Sequence, residues 1–171
     1  MQTKGQSVLD HGNSVWNYTQ KILKKDLADF KVPSWLEQNY DAILASVLPE
    51  STIKKYNVFH DCGKPFCKVV EDGVTRFPNH AEVSERTWNE HFKDEVVGRL
   101  IGLDMLLHTG SAEEILAKKL SKEDYLTLLI TALAELHSNA EMFGGIKSNS
   151  FKIKWKVIDR RGKMIVREVL A

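Results

Sequence analysis

The sequence has few cysteines, no long apolar run and almost no net charge, and each lack excludes a class of protein. Cys62 and Cys67 are the only cysteines, and their spacing matches neither a redox pair nor half of a zinc ribbon, so we expect free, buried thiols. No apolar stretch approaches the ~20 residues that span a bilayer. The net charge of +1 provides no overall field that would recruit nucleic acid or a membrane.

The first seven residues lack the apolar core of a signal peptide, which predicts a cytoplasmic protein. A chain of 171 residues is about one domain long, and such a domain buries roughly 70% of its unfolded surface. We therefore expect a single core. No internal repeat, low-complexity run or long linker interrupts the sequence.

Hydrophobic residues recur at helical spacing through most of the first 150 residues, and this pattern predicts a mainly α fold. The segment from Asp94 to Leu107 is apolar on nearly all sides, so we expect it to form the central core helix. Ser111 and Ser121 each begin a capping-box pattern, the second ahead of a long helix. The predicted helices cover residues 9–30, 34–48 and about 52–61, start again at Asn79, Asp94 and Ser121, and end before Gly144.

Two segments have the patterns of strands. Residues 68–77 predict a small hairpin that turns at Glu71-Asp72-Gly73. Residues 151–171 alternate apolar and basic side chains, which predicts a C-terminal hairpin that turns at residues 159–162 and packs on a domain formed by residues 1–150. Its lysines are either solvated protection of a sheet edge or a surface for nucleic acid.

The stretch Phe-His-Asp-Cys-Gly-Lys-Pro at residues 59–65 sets an imidazole beside a carboxylate. His60 and Asp61 can both face one cation if a helix ends there, and Gly63 and Pro65 supply that ending. The doublet alone is a weak indication of metal, because His and Asp are ordinary residues at helix ends and turns.

Three more histidines lie in helical contexts. His11 is at or just before the start of the first helix, where it is either a ligand or a capping or surface residue. His80 follows Asn79 in the first turn of a helix, where it is either a surface residue or a ligand, since a neutral, metal-bound imidazole avoids conflict with the positive helix end. His108 lies four residues after Asp104, so Asp104 either orients a metal-binding His108 or forms a buried hydrogen-bonded pair with it.

In their order these residues resemble the HD-domain metal-dependent phosphohydrolases, over roughly residues 9 to 140. The matching motifs are His11 in His-Gly-Asn-Ser-Val, His60-Asp61 followed by Gly-Lys-Pro, His80 in Asn-His-Ala-Glu-Val, and then His108. Residues 59–83 are especially similar to the HD module of bacterial CCA-adding nucleotidyltransferases, including the hairpin between the doublet and the next histidine. The resemblance implies an HD-domain helical bundle that gathers these residues around metal.

The last ligand of that family is usually an Asp on a final core helix, and here Glu135 stands in its place. A Glu reaches one methylene further than an Asp. Glu135 therefore binds the metal through a shifted geometry, leaves the site incomplete, or forms a salt bridge or a solvated helix face.

Imidazoles with carboxylates suit one or two ions of Mn²⁺, Fe²⁺, Co²⁺, Ni²⁺ or Zn²⁺, and the lack of cysteine among them argues against structural zinc. A bound ion lowers the pKa of water toward ~7 and so creates a hydroxide nucleophile, which Asp61 is best placed to orient. Lys64 either contacts the substrate phosphate or is a cation at a helix C-terminus. His80 and His108 bind a second ion or the phosphate, and Arg86 is a further candidate for substrate binding.

The resemblance implies a metal-dependent phosphohydrolase or phosphodiesterase acting on a nucleotide or an RNA end. The alternatives are a catalytically impaired HD module that binds nucleotide or RNA through the C-terminal hairpin, and a structural helical domain with coincidental histidines. Candidates for stacking on a base are Trp16, Tyr18 and Trp88, although such aromatic residues are more often core. The helix around Trp35 and Tyr40 has enough apolar surface to support a homodimer.

Overall fold

The computed structural model describes residues 5–171, which are mainly helical with one small antiparallel hairpin. The helices are α1 Val8–Leu23, α2 Ser34–Leu44, α3 Glu50–Phe59, α4 Lys64–Cys67, α5 His80–His91, α6 Glu95–Gly102, α7 Leu106–Thr109, α8 Ala112–Ala117, α9 Lys122–Ser138 and α10 Asn149–Val169, with a 3₁₀ turn at Ala140–Phe143. Strands β1 Val69–Glu71 and β2 Val74–Arg76 pair with Val70 opposite Thr75. The predicted α class and the first hairpin are confirmed.

Helix α9 is the centre of the fold, because every residue from Asp124 to His137 is buried. Helices α1, α7 and α10 pack against it, α3 packs against α1, and α6 packs against α3 and α5. The core is built from the apolar faces of these helices. Within residues 5–171, no helix is both long and apolar enough to cross a membrane.

The prediction of one central core helix over residues 94–107 is wrong. Helix α6 ends at Gly102, and a turn separates it from α7. Two glycines, Gly98 and Gly102, weaken the helix, and the turn places the Asp104 carboxylate in the interior, where it accepts a 2.6 Å hydrogen bond from the Tyr56 hydroxyl. The segment therefore contributes a buried polar group as well as apolar packing.

The predicted C-terminal hairpin is also wrong, because residues 149–169 form the single helix α10. Ser148 caps it by accepting a hydrogen bond from the Phe151 N–H. The residues that face inward follow helical spacing rather than period 2: Phe151, Ile158, Gly162, Ile165 and Val166. Gly162, which was expected in the turn, lies inside the helix, where a Cβ would approach the Trp35 indole to 2.3 Å.

The two aromatic residues that suggested a homodimer lie within the core, and the homodimer itself stays a prediction. Trp35 and Tyr40 are only 3% and 9% exposed, because they pack within the chain's own core. The apolar face that suggested a partner is covered by the same chain.

Several predicted helix boundaries are shifted. Helix α1 ends at Leu23 rather than near Phe30, and α9 ends at Ser138. Ser34 is the first residue of α2, while Pro33 precedes it without a side-chain cap. Asn79 precedes α5 in a left-handed conformation with φ of 52°, so its side chain does not cap the helix.

The serine caps are better predicted. Ser111 forms the expected reciprocal capping box with Glu114, and Ser121 accepts from the Asp124 N–H.

Cys62 and Cys67 are free and partly buried, and burial raises the pKa of the Cys62 thiol to about 11.

Candidate metal centre

His11 is held in the first turn of α1 by a capping box. Ser7 accepts from the Asp10 N–H, and the Asp10 carboxylate accepts from the Ser7 N–H in return. Gly12 lets this turn approach α3, since a Cβ there would lie 2.0 Å from the Val58 carbonyl oxygen. The His11 side chain is consequently 1% exposed and points into the core.

His60 and Asp61 come at the end of α3, as predicted. The Nδ1 of His60 lies 2.7 Å from the Asn57 carbonyl, which orients the ring and leaves Nε2 free. Gly63 lets the chain pass close to α5, since a Cβ there would lie 2.4 Å from the Ser84 nitrogen, and the Gly63 N–H donates to Ser84 Oγ. Both ligand candidates are 1% exposed.

The central helix α9 carries Glu135 to the same place. One carboxylate oxygen, Oε1, lies 3.4 Å from His11 Nε2 and 3.5 Å from His60 Nε2. The Asp61 Oδ2 atom lies 3.6 Å from His11 Nε2 and 3.5 Å from His60 Nε2. Two imidazoles and two carboxylates from three distant parts of the chain therefore meet in the core, and we call these four residues the central cluster.

The central cluster fits a metal ion. In the described part of the chain, His11 Nε2 and His60 Nε2 are buried atoms without a hydrogen-bond partner, and such groups are costly unless something binds them. Four tetrahedral ligand atoms about 2.1 Å from a zinc-like ion lie roughly 3.4 Å apart, which is close to the imidazole–carboxylate distances. The buried His, Asp and Glu groups can therefore hold a cation.

The charges within the cluster are strongly coupled. Burial opposes ionisation of Glu135, but His108, His11 and His60 outweigh it and hold the pKa of this carboxyl well below its usual range. Burial likewise opposes the charged form of His60, yet Asp61, Asp104 and Glu135 raise its pKa well above the ordinary value. The carboxylates thus supply negative charge that favours a cation between the imidazoles.

Lys64 and His80 lie on the Asp61 side of the cluster. The Lys64 ammonium is 2.5 Å from Asp61 Oδ2 and the side chain is buried. His80 Nε2 is 3.7 Å from Asp61 Oδ1, while its Nδ1 lies 3.2 Å from the Phe77 carbonyl. Burial against the core lowers the pKa of His80, which favours a neutral imidazole.

His108 and Asp104 lie on the Glu135 side. His108 Nε2 is 3.3 Å from Glu135 Oε2, whereas the Asp104 carboxylate accepts from Tyr56 and, with His60 and Glu135, forms a second group that can hold a metal. Asp104 is therefore not the hydrogen-bond partner of His108 but a separate buried carboxylate beneath the cluster. Burial and the nearby Glu135 raise the pKa of Asp104.

Arg86 does not join these residues. It is exposed on α5 and shares a shallow surface depression with Glu82, Glu85 and Glu90, which none of the central cluster lines. Of the aromatic candidates for stacking, Trp16 and Trp88 are buried in the core, and Tyr18 packs edge-on against Phe30.

A cavity of about 360 Å³ beside the cluster is lined both by predicted site residues and by residues that the sequence did not indicate. Lys64, His80, His108 and Glu135 line it together with Asn139, Phe143 and residues of α10. Asn139 follows Glu135 by four residues, so helical spacing alone indicates that the two share a face. The α10 residues were missed because that segment was predicted as a hairpin.

No protein-family model matches the chain, and comparisons with curated proteins and with solved structures give no match either.

Proposed function

We propose that this protein is a metal-dependent phosphohydrolase or phosphodiesterase of the HD-domain type, acting on a phosphoester of a nucleotide or an RNA end. The observation that carries the proposal is the pair of imidazole nitrogens, His11 Nε2 and His60 Nε2, buried without hydrogen-bond partners among carboxylates. The order of ligands along the chain supports the HD type.

The central cluster would hold the principal ion through His11, His60, Asp61 and Glu135. A divalent cation supplies Lewis-acid chemistry, because it lowers the pKa of a coordinated water toward ~7 and offsets phosphoryl charge. Glu135 fits the position of the terminal ligand, since Oε1 lies 3.4 to 3.5 Å from both imidazoles.

The residues around the cluster would bind and position the phosphoester. His80 and His108 line the cavity, so they face an incoming ligand, to bind its phosphoryl oxygens or to hold a second ion. Lys64 also lines the cavity and offers an ammonium for developing negative charge. Asp61 contacts Lys64, His11, His60 and His80, and is the residue best placed to orient the attacking water.

One observation favours a second candidate, a catalytically impaired module that binds nucleotide or RNA. The Lys64 ammonium already neutralises Asp61 at 2.5 Å, and a lysine that stays there competes with a metal for the carboxylate. The basic surface would be that of α10, where Lys152, Lys154 and Lys156 are exposed.

The test is turnover with Mn²⁺, Co²⁺, Ni²⁺ or Mg²⁺ added in turn, read as phosphate release from nucleotides and as ring opening of 2′,3′-cyclic nucleotides. We expect activity with at least one ion and its loss in Asp61→Asn. Asp124→Asn is the matched control, because Asp124 is a buried carboxylate on the central helix α9 that pairs with Arg99 outside the cluster. Metal-loaded protein without turnover on any substrate would favour the binding module.

A further inference from the structure

The cavity beside the central cluster has two chemically different ends. Its inner end is formed by Lys64, His80, His108 and Glu135. Its outer walls are largely apolar and come from α7, α9, the 3₁₀ turn and α10, with Leu136, Phe143, Ile153 and Val157 among them. A ligand that fills it meets polar, ionisable side chains at one end and apolar side chains at the other.

The charges of the lining indicate how many phosphates the cavity accepts. Among the described residues that line it, Lys64 and Lys154 are the only lysines or arginines. Lys64 is already in contact with Asp61, and Glu135 adds negative charge. This balance suits a single phosphate and opposes a triphosphate, whose additional negative charges would lack partners.

The outer walls suit a flat aromatic group. The Phe143 ring lines the cavity with the Lys154 ammonium 4.9 Å from its centroid, and Ile153 is 66% exposed at the rim. Bases stack on aromatic and apolar side chains with little regard to sequence. One face of a planar ligand can therefore pack on this wall and displace the water that would otherwise cover it.

Asn139 adds a polar group to this apolar wall. It is 8% exposed and lines the cavity, yet its side-chain amide makes no hydrogen bond within residues 5–171, where its backbone N–H donates to the Glu135 carbonyl and its backbone carbonyl accepts from the Met142 N–H. An amide presents a donor and an acceptor side by side, which matches the edge of a nucleobase.

We infer that the cavity binds a nucleoside monophosphate, with its base at the Phe143–Ile153 wall and hydrogen-bonded to Asn139, and its phosphate at the central cluster. The inference rests on the proposed function for the position of the phosphate. It adds the substrate class and the residues that select it.

The experiment compares kcat/KM for nucleoside 5′-monophosphates, the matching triphosphates and glycerol phosphate in the metal-loaded protein. Stacking of a base strengthens binding by about tenfold or more. We therefore expect kcat/KM for the monophosphates to exceed that for glycerol phosphate by about that factor. Asn139→Ala and Ile153→Ala should reduce this ratio, and Ile153 is exposed enough for the variant to fold. Arg167→Ala is the control, because Arg167 is exposed on the same helix but does not line the cavity.

A calorimetric titration of metal-free protein with the same monophosphates separates binding from catalysis. We expect Asn139→Ala to raise the Kd severalfold and Arg167→Ala to leave it unchanged. Equal kcat/KM for glycerol phosphate and nucleotides, with no effect of Asn139→Ala, would overturn this inference and leave the proposed function standing. Preference for triphosphates would overturn the single-phosphate assignment. Selective binding without any metal-dependent turnover would instead overturn the proposed function.

Discussion

Helices α1, α3 and α9 carry two buried polar layers that differ in how their polar atoms are satisfied. In the closed layer, Thr19 donates to Asn57 Oδ1 at 2.5 Å, and the Asn57 amide donates to Thr131 Oγ1 at 3.1 Å. The open layer is the central cluster, whose His11 and His60 Nε2 atoms have no such partner among residues 5–171. The same three helices build both layers.

The comparison distinguishes buried polar groups that stabilise the fold from buried polar groups that are available to a ligand. Asn57 and the two threonines satisfy one another, so the closed layer needs nothing from outside and fixes the register of the helices. In the open layer, two imidazoles and two carboxylates face one another, and the histidine Nε2 atoms lie 3.4 to 3.6 Å from the carboxylate oxygens. A cation added among them would satisfy its buried groups.

His137 makes the same comparison within one residue type. It lies on α9 two residues after Glu135, yet its Nδ1 faces the Leu133 carbonyl at 2.8 Å and its Nε2 accepts from the Lys31 N–H at 3.0 Å. Both nitrogens are thus satisfied by backbone. A buried histidine is a ligand candidate only where one ring nitrogen stays free, as in His60.

The largest expected effect is on catalysis. His60→Gln removes a ligand from the open layer and should lower metal-dependent kcat/KM by at least about a thousandfold, the equivalent of roughly 4 kcal/mol of transition-state stabilisation. Steady-state kinetics at saturating metal measures it. His137→Gln is the matched control, and a similar loss in that variant would mean that the two histidines do not differ as proposed.

The next effect is on stability. Metal at 100 times its Kd should stabilise the protein by about 2.7 kcal/mol, which raises the Tm by about 5–11 °C for a chain of this size. Differential scanning calorimetry with and without metal measures the shift. Glu135→Gln should abolish most of it, because it removes the charge that lies beside both imidazoles. A full shift in that variant would exclude Glu135 as a ligand.

Asn57→Ala tests the closed layer and should cost about 1–3 kcal/mol of unfolding free energy, because the Thr131 hydroxyl loses its buried partner. Urea denaturation of metal-free protein measures this loss. The metal-induced rise in Tm should survive, since the Asn57 carbonyl, not its side chain, orients His60. If Asn57→Ala also removed the metal response, the two layers would form one network.

The residues of the site were more predictable than the fold around them. The structure brings six predicted residues together: His11, His60, Asp61, His80, His108 and Glu135. Helix ends and local turns position them, and both features can be recognised in the sequence. The helix predicted over residues 94–107 and the last helix were mispredicted for tertiary reasons. Asp104 lies inside a turn and is hydrogen-bonded by Tyr56, and the alternation from Phe151 to Val157 gives way to a helix that packs Gly162 on Trp35.

The smallest expected effect is the pH dependence of stability that comes from His137, whose two ring nitrogens are both hydrogen-bonded to the backbone. Burial lowers the pKa of His137 below the ordinary value near 6.5. The His137 imidazole therefore binds a proton more readily in the unfolded chain than in the native chain. Its contribution to the free energy of unfolding is complete above about pH 6.5 and is lost as the pH falls below that value. Comparing unfolding free energies at pH 7.5 and 5.5, we expect a steeper loss for the native sequence than for His137→Gln. Equal slopes would mean that His137 does not titrate on unfolding, which its two backbone partners and its burial argue against.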